Sequence, residues 1–444
     1  MEPSLPEDIL LLIFEQLVRV EDTEDKWPAV VYNRRVAQAP FIVAAICRRW
    51  RELALATSIL WKYFGFPKAV SMNERDLLRL ELLRSRVRNA PIDVVFGWDH
   101  RHEADVCTGG TSILLFDALL ELHLQWKSVV LHVVGSVDCD WTTDQVFECL
   151  HWPLLESLSL AIDDKLGVIP AAPRMRRMWL DCERKSVEKP FIVGSYPALT
   201  MIGIYCDSSP ALRSLALALR GQLVELALID DCDDYFAEVG PEATRIVFPV
   251  LQCLTLDDVC WLRHIDAPAL RKLLLTNRHI PSMEVETMRR FEHVQDLQPC
   301  GEFSTRQLAV LTHLSNIKTL TFDCPPLLMT AFKNRQELRQ INSGALCNVA
   351  SFDAPVWPHL EHLYFGAAGW PTSSSYSGRG FNAFISDRGH NEDPAQDIID
   401  FVSARNLRAA STDEPAVARI VQVVINHPGA PEWLEEKLQE LVVD

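Results

Sequence analysis

Apolar positions follow two different rhythms along this chain. Near the amino end they return at three- and four-residue steps, the period of a helix with one buried face. Beyond residue 152 they alternate in short bursts, the period of a strand. In LPEDILLLIFEQL (5–17), Leu5, Ile9, Leu12, Ile13 and Leu17 form a stripe, which Leu10 and Phe14 widen to about half the circumference. Ser4 is the expected N-cap, with Glu7 completing a capping box and Pro6 in the first turn. In ICRRWRELALATSILW (46–61), Ile46, Trp50 and Leu53 share one face, while Arg48, Arg49, Arg51 and Glu52 stay solvated. Cys47 falls beside Trp50 on the apolar side, a packing position more than a nucleophile's. Between the two segments, residues 18–41 are expected to lose helical periodicity at Pro28 and Pro40. So much apolar surface on so few residues needs a cover, which makes this a docking module.

The second rhythm is a unit of the form Pro-x-Leu-x-x-Leu-x-Leu. It appears as PLLESLSL (153–160), PRMRRMWL (173–180), PALTMIGI (197–204), GQLVELAL (221–228), PVLQCLTL (249–256) and PALRKLLL (268–275). Weaker copies are EHVQDLQP (292–299), SNIKTLTF (315–322) and QELRQINS (336–343), before a clear PHLEHLYF at 358–365. WKSVVLHV (126–133) reads as an earlier, degenerate copy. The mean period is about 23 residues, within the range of leucine-rich repeats. Alternate leucines of each burst point into one core, and only stacking of neighbours makes that core continuous. Three residues after the last strand leucine stand Asp163, Glu183, Asp207, Asp231, Val259, Arg278, Pro325 and Ala368, so the usual asparagine ladder is absent. β-α units of another α/β fold are the alternative.

Between module and repeats, NERDLLRLELLRSRV (73–87) reads as an amphipathic helix, PIDVVF (91–96) as a strand and ILLFDALLELHL (113–124) as a buried helix. The repeats are expected to begin near residue 73, with this connector capping their open edge. Toward the carboxyl end, residues 366–397 read as a loop rich in Gly, Ser and Asp. Residues 397–406 then read as a helix, 415–426 as a helix or strand, and 431–443 as a final helix, together capping the last repeat.

Charge and chemistry narrow the functions open to this chain. Lys and Arg number 43 against 60 Asp and Glu, a net charge of −17, which argues against a nucleic-acid partner. No apolar run approaches the length of a membrane span, and the first residues, with Glu2, Glu7 and Asp8, do not resemble a signal peptide. Twelve cysteines lie scattered without a Cys-x-x-Cys pair, and no Asn-x-Ser/Thr sequon is present, a usage that fits the cytoplasm or nucleus. No glycine-rich nucleotide motif follows a strand; SYSGRG (375–380) sits in the loop-like stretch. His390, Glu392 and Asp393 lack the spacing of a closed metal site, and His359 and His362 fall on a strand. DDCDDYFAE (230–238) lacks the glycine and final glutamate of a calcium loop. The reading is therefore of a protein that is not an enzyme, with no catalytic residues, no cofactor and no metal. Binding would fall to the positions between strand leucines: Arg177, Trp179, Tyr205, Thr255, Lys272, Thr321, His362 and Tyr364. Packing between strands accounts for them equally well.

The two N-terminal segments resemble an F-box, the small helical domain that docks onto the Skp-type adaptor of cullin ubiquitin ligases. The matching residues are Leu5, Pro6, Ile9, Leu10, Ile13, Phe14 and Leu17, then Ile46, Cys47, Trp50, Leu53, Leu60 and Trp61. The stretch 18–41 is longer than the usual connection, and the run from Cys47 to Trp61 is one residue longer than the common form. The arrangement as a whole resembles the F-box and leucine-rich-repeat proteins of mushroom-forming fungi. That resemblance implies an α/β chain: an F-box-like module (1–66), a connector (67–125), a degenerate leucine-rich-repeat horseshoe, that is, a parallel β solenoid with outer helices (126–368), a flexible loop (369–396) and capping helices (397–444). It implies a substrate-recognition subunit of a Skp-cullin-F-box ubiquitin ligase, holding adaptor and cullin at one end and a target protein on the repeats. The alternatives are a non-degradative scaffold using the same adaptor contact, and a repeat protein whose module caps its own horseshoe.

Overall fold

The computed structural model describes residues 5–19, 32–66, 74–99, 109–134, 151–162, 171–182, 196–206, 218–229, 245–257, 259–277, 285–301, 310–322, 357–366, 394–410, 417–426 and 432–443. They form a mixed α/β structure divided into two units, Met1–Ala218 and Leu219–Asp444. Among the described residues, thirteen strands belong to parallel sheet, six in the first unit and seven in the second, an arrangement compatible with an α/β solenoid.

The first unit opens with three helices, α1 (Glu7–Leu17), α2 (Arg34–Ile46) and α3 (Arg48–Ala56). Its strands are β1 (Tyr63–Phe66), β2 (Ile92–Asp99), β3 (Trp126–Val134), β4 (Ser157–Ile162), β5 (Arg177–Cys182) and β6 (Met201–Cys206), each parallel to the next in chain order. Parallel neighbours need a crossover, and α4 (Glu74–Val87) and α5 (Gly109–Leu120) fall in two of them. The sheet therefore begins at β1, ahead of residue 73, and β2 is one of its members rather than a cap over its edge. YFGF is too short to show alternation, and all four residues are buried.

The second unit carries β7 (Glu225–Ile229), β9 (Cys253–Leu256), β11 (Lys272–Asn277), β12 (Asp296–Gly301), β13 (Thr319–Phe322), β14 (His362–Gly366) and β15 (Gln422–Asn426), again parallel and in chain order. A separate two-stranded parallel ribbon pairs β8 (Ile246–Val247) with β10 (Ile265–Asp266). A short helix, α6 (Val285–Arg289), precedes β12, and α7 (Pro394–Ala409) and α8 (Glu432–Val443) flank β15. Nine of the ten repeat segments coincide with strands; QELRQINS (336–343) lies outside the described residues, as do 230–238 and most of the expected loop. The stretch 415–426, open as helix or strand, supplies β15, so a further strand stands where only a cap was expected. ARIVQVVI (418–425) has the repeat's spacing without its proline or leucines.

Each repeat position has a physical role. The leucine-type residue before each strand (Leu155, Met175, Leu199, Leu223, Leu251, Leu270, Val294, Ile317, Leu360 and Ile420) is fully buried. In β4 and β11 the alternating strand residues, Leu158 with Leu160 and Leu273 with Leu275, are exposed by 1% or less. Burying each such side chain stabilises its unit by about 1.5–3 kcal/mol. The proline marks a β-turn: Leu155, Met175, Leu199 and Leu270 donate their amides to the carbonyls of Trp152, Ala172, Tyr196 and Ala267 at 3.4, 3.1, 3.1 and 3.1 Å. Proline thus occupies the second turn position, where its fixed φ fits and its missing N–H costs nothing. A second ladder joins successive turns, from Arg176 N to Glu156 O (2.9 Å) and Thr200 N to Arg176 O (3.0 Å) in the first unit. In the second it runs through Arg271, Gln295, Lys318, Glu361 and Val421. These bonds use backbone alone and tie together the turns that precede the strands. Of the eight positions for that ladder, only Val259 is described, buried at the start of a 3-10 turn, Val259–Arg263.

On the opposite sheet face of the first unit, Trp179 faces Gly203 across the β5–β6 pair. A Cβ at Gly203 would overlap the six-membered ring of Trp179. Gly203→Ala is expected to cost about 1–3 kcal/mol, read as a lowered urea midpoint, because the buried indole has to tilt. An unchanged midpoint would show that the ring moves freely.

Candidate docking surface on the N-terminal helices

Helix α1 is apolar on two opposite sides, and each side has a different fate. Its inner side places Leu10, Phe14 and Val18 in the interior, with Phe14 edge-on to Trp50 at 5.3 Å between ring centroids. Its outer side carries Ile9, Leu12 and Ile13, exposed by 37–55%, and Leu5, 50% exposed, lies just ahead of the helix. Those three helical residues fall at steps of three and one, so they share one face. On α2, Val36, Ala37, Ala39, Pro40 and Val43 turn inward, while Ile42 and Ile46 are more than half exposed. Exposed apolar residues scattered singly are ordinary; five of them in helical register on two adjacent helices are not.

The interior beneath these stripes is closed by specific contacts. Phe41 meets Trp61 edge-on at 5.5 Å, and the buried Trp61 indole donates to the Ala54 carbonyl at 2.8 Å. Arg79 lies over Phe41 and Phe66 and donates to the Ala37 carbonyl at 3.3 Å. Arg49 donates to the Leu5 carbonyl at 2.9 Å and ties the start of α1 to α3. The Tyr63 hydroxyl accepts the Asn33 amide at 2.9 Å, and burial pushes its pKa up to about 12. A raised pKa favours the protonated phenol in the folded state. That stability is complete below pH 10, the ordinary value, and is lost as pH rises toward 12. Tyr63→Phe is expected to flatten the alkaline unfolding profile across pH 10–12, measured by circular dichroism.

Three sequence expectations change here. Pro6, not Ser4, is the N-cap of α1, without a side-chain cap; Ser4 lies outside the described residues. Glu7 and Asp8 still place negative charge in the first turn. Pro40 sits inside α2 instead of breaking it, since inward packing on both sides of it offsets one lost backbone bond. Cys47 is exposed, not packed, and its sulfur accepts the Trp50 amide at 3.4 Å as the N-cap of α3. Pro28 lies outside the described residues.

The thirteen expected adaptor contacts divide accordingly. Leu5, Pro6, Ile9, Ile13, Ile46 and Cys47 are exposed; Leu17, Trp50 and Leu53 are half-buried; Leu10, Phe14, Leu60 and Trp61 are interior. The structure adds Leu12, Ile42 and Ile59 to the exposed group. The Ile42–Ile46 step was legible in RRVAQAPFIVAAI once Pro40 no longer marks an end.

The eight expected target-binding residues fall in both units. In the first, Trp179 is buried and Arg177 half-buried, while the side chain of Tyr205 lies outside the described set. In the second, Thr255 is buried, and Lys272, Thr321, His362 and Tyr364 are half-buried. Thr321 and Tyr364 are register neighbours, and the Tyr364 hydroxyl donates to Gln422 Oε1 at 2.9 Å. Trp179 and Tyr364 therefore contribute packing and hydrogen bonding between strands. His390, Glu392 and Asp393 lie outside the described residues, among which no group of three or more His, Cys, Asp or Glu is placed to hold a metal. Among the described residues, no helix is long and apolar enough to cross a membrane. No protein-family model matches the chain, and no curated protein matches it.

Proposed function

We propose that this chain is the substrate-recognition subunit of a Skp-cullin-F-box ubiquitin ligase, with α1–α3 holding the adaptor and the repeat strands holding a target protein. The observation that carries the reading is the outer stripe of α1, which stays exposed although the module's own interior is already closed by Leu10, Phe14 and Trp61. A protein keeps such a stripe in register when a partner covers it. No chemistry is asked of the chain itself. Its task is positioning: holding a target's lysines near a ubiquitin thioester raises their effective concentration. Soluble placement in the cytoplasm or nucleus belongs to the same reading.

The test is affinity purification of the full-length chain, with bound proteins identified by mass spectrometry. Recovery of a Skp-type adaptor together with a cullin is the expected result. Adaptor without cullin would favour a non-degradative scaffold. Recovery of neither would reject the reading and leave the module as a cap on its own repeats.

A further inference from the structure

We infer that the outer face of α2 and the start of α3 is built for a partner whose apolar contact residues are flanked by carboxylates; this rests on the docking reading above and names the chemistry of its partner. The exposed line of α2 runs Arg34, Gln38, Ile42, Ile46 at four-residue steps, with Arg35 and Ala45 beside it. Cys47 ends that helix, and the exposed Arg48 and Arg51 follow at once on α3. Arginine therefore stands at both ends of an isoleucine centre. The bond from Arg49 to the Leu5 carbonyl brings the start of the α1 stripe to the same corner.

Charge sets the α2–α3 side of this corner apart: residues 34–56 hold five arginines and one carboxylate, Glu52, in a chain of net charge −17, whereas α1 carries the exposed Glu7, Asp8 and Glu15. Beyond a Debye length of about 8–10 Å the acidic remainder is screened, so the arginines govern the final approach to the α2–α3 side of the module. Arg48 pairs with Glu52 at 2.9 Å, but both side chains are well exposed, so that pair adds little and can exchange for a partner's carboxylate. Guanidinium groups bind carboxylates through two parallel hydrogen bonds, which adds orientation to attraction. The isoleucine centre favours a protein over RNA or an anionic membrane: a phosphate backbone offers it no apolar counterpart, and the exposed carboxylates of α1 in the same module oppose a lipid surface of like sign.

The experiment measures association of the purified full-length chain with a purified Skp-type adaptor at low and physiological salt. The variant R34E/R35E/R48E is expected to associate about tenfold or more slowly at low salt and to lose most of its salt dependence, with dissociation little changed. R34Q/R35Q/R48Q should fall between, and the exposed Arg176→Glu in the repeats should leave the rate alone. Thermal melting checks that each variant is folded. If the wild-type chain fails to bind the adaptor, the docking reading falls and this inference with it. If it binds, and the charge-reversed variant associates like wild type at every salt, the inference alone is overturned. It is also overturned if the wild-type chain, but not the variant, is retained on phosphatidylserine vesicles or on single-stranded RNA.

Discussion

Ile9→Glu is expected to remove adaptor binding and leave folding intact, while Phe14→Ala does the reverse. The two residues lie five positions apart on one helix, and nothing in their apolar character distinguishes them. Their burial does: Ile9 is 43% exposed and Phe14 fully buried. A glutamate at Ile9 stays solvated in the free chain and must be stripped of water only when a partner covers it. The expected loss is about 2–4 kcal/mol of binding, roughly 30- to 700-fold in Kd, with an unchanged melting temperature. Phe14→Ala opens a cavity against Trp50 and should cost about 3–5 kcal/mol of folding stability. Binding by isothermal titration and melting by circular dichroism read the two effects separately. If Ile9→Glu unfolds the module, the outer stripe is interior after all, and the docking surface does not exist.

Much of the framework could be read from the residues because it rests on local periodicity. The repeat's leucines, its prolines and its period specify strands and the turns that feed them, and parallel pairing follows from stacking like against like. What escaped had a cause in each case. β1 is four buried residues with no alternation to see, and β15 has valine and isoleucine where leucine and proline marked the other copies. Pro40 inside α2 is a tertiary override of a local rule: inward packing of Val36, Ala39 and Val43 holds a helix that propensity would end. The candidate site was legible as a set of residues but not as a surface. Periodicity placed Leu5, Ile9, Leu10, Ile13 and Phe14 on one broad stripe; which half faces inward depends on Trp50, more than thirty residues away, and no spacing within α1 reveals it. The repeat-face positions were located by register, yet their burial reflects neighbours such as Gly203 and Gln422 that the pattern does not weigh.

Arg405 shows how far an essential contact can lie from any sequence signal, and its replacement carries the other large expected effect. It lies on α7, in a stretch read as a plain capping helix, yet it is only 7% exposed. One guanidinium nitrogen donates to the carbonyls of Trp357, Pro358 and Leu360 at 2.7, 3.2 and 3.3 Å, and Nε donates to the Ala418 carbonyl at 3.2 Å. Those carbonyls belong to the turn that feeds β14 and to the approach to β15. The turn needs support, because Trp357 has φ of 49°, a left-handed conformation that a bulky residue adopts only at a cost. Arg405→Leu keeps the helix and most of the volume but strips the donor from the Leu360 and Ala418 carbonyls, while those of Trp357 and Pro358 keep the backbone amides of Leu360 and Ala418. Each stranded group costs about 1–3 kcal/mol, and a total near 3–5 kcal/mol is expected, at the severe end for a single substitution. Arg405→Lys should recover less than half, since one ammonium cannot reproduce the planar fork. Hydrogen exchange localises the effect: amides of β14 and β15 should lose protection in Arg405→Leu, while those of β4 and β5 in the first unit keep theirs. Arg419→Ala, which removes a single bond to the Val442 carbonyl from a half-buried residue, serves as the comparison and should cost about 1 kcal/mol or less. Equal losses from the two variants would mean that Arg405 acts as ordinary helix packing and not as the clamp on this turn.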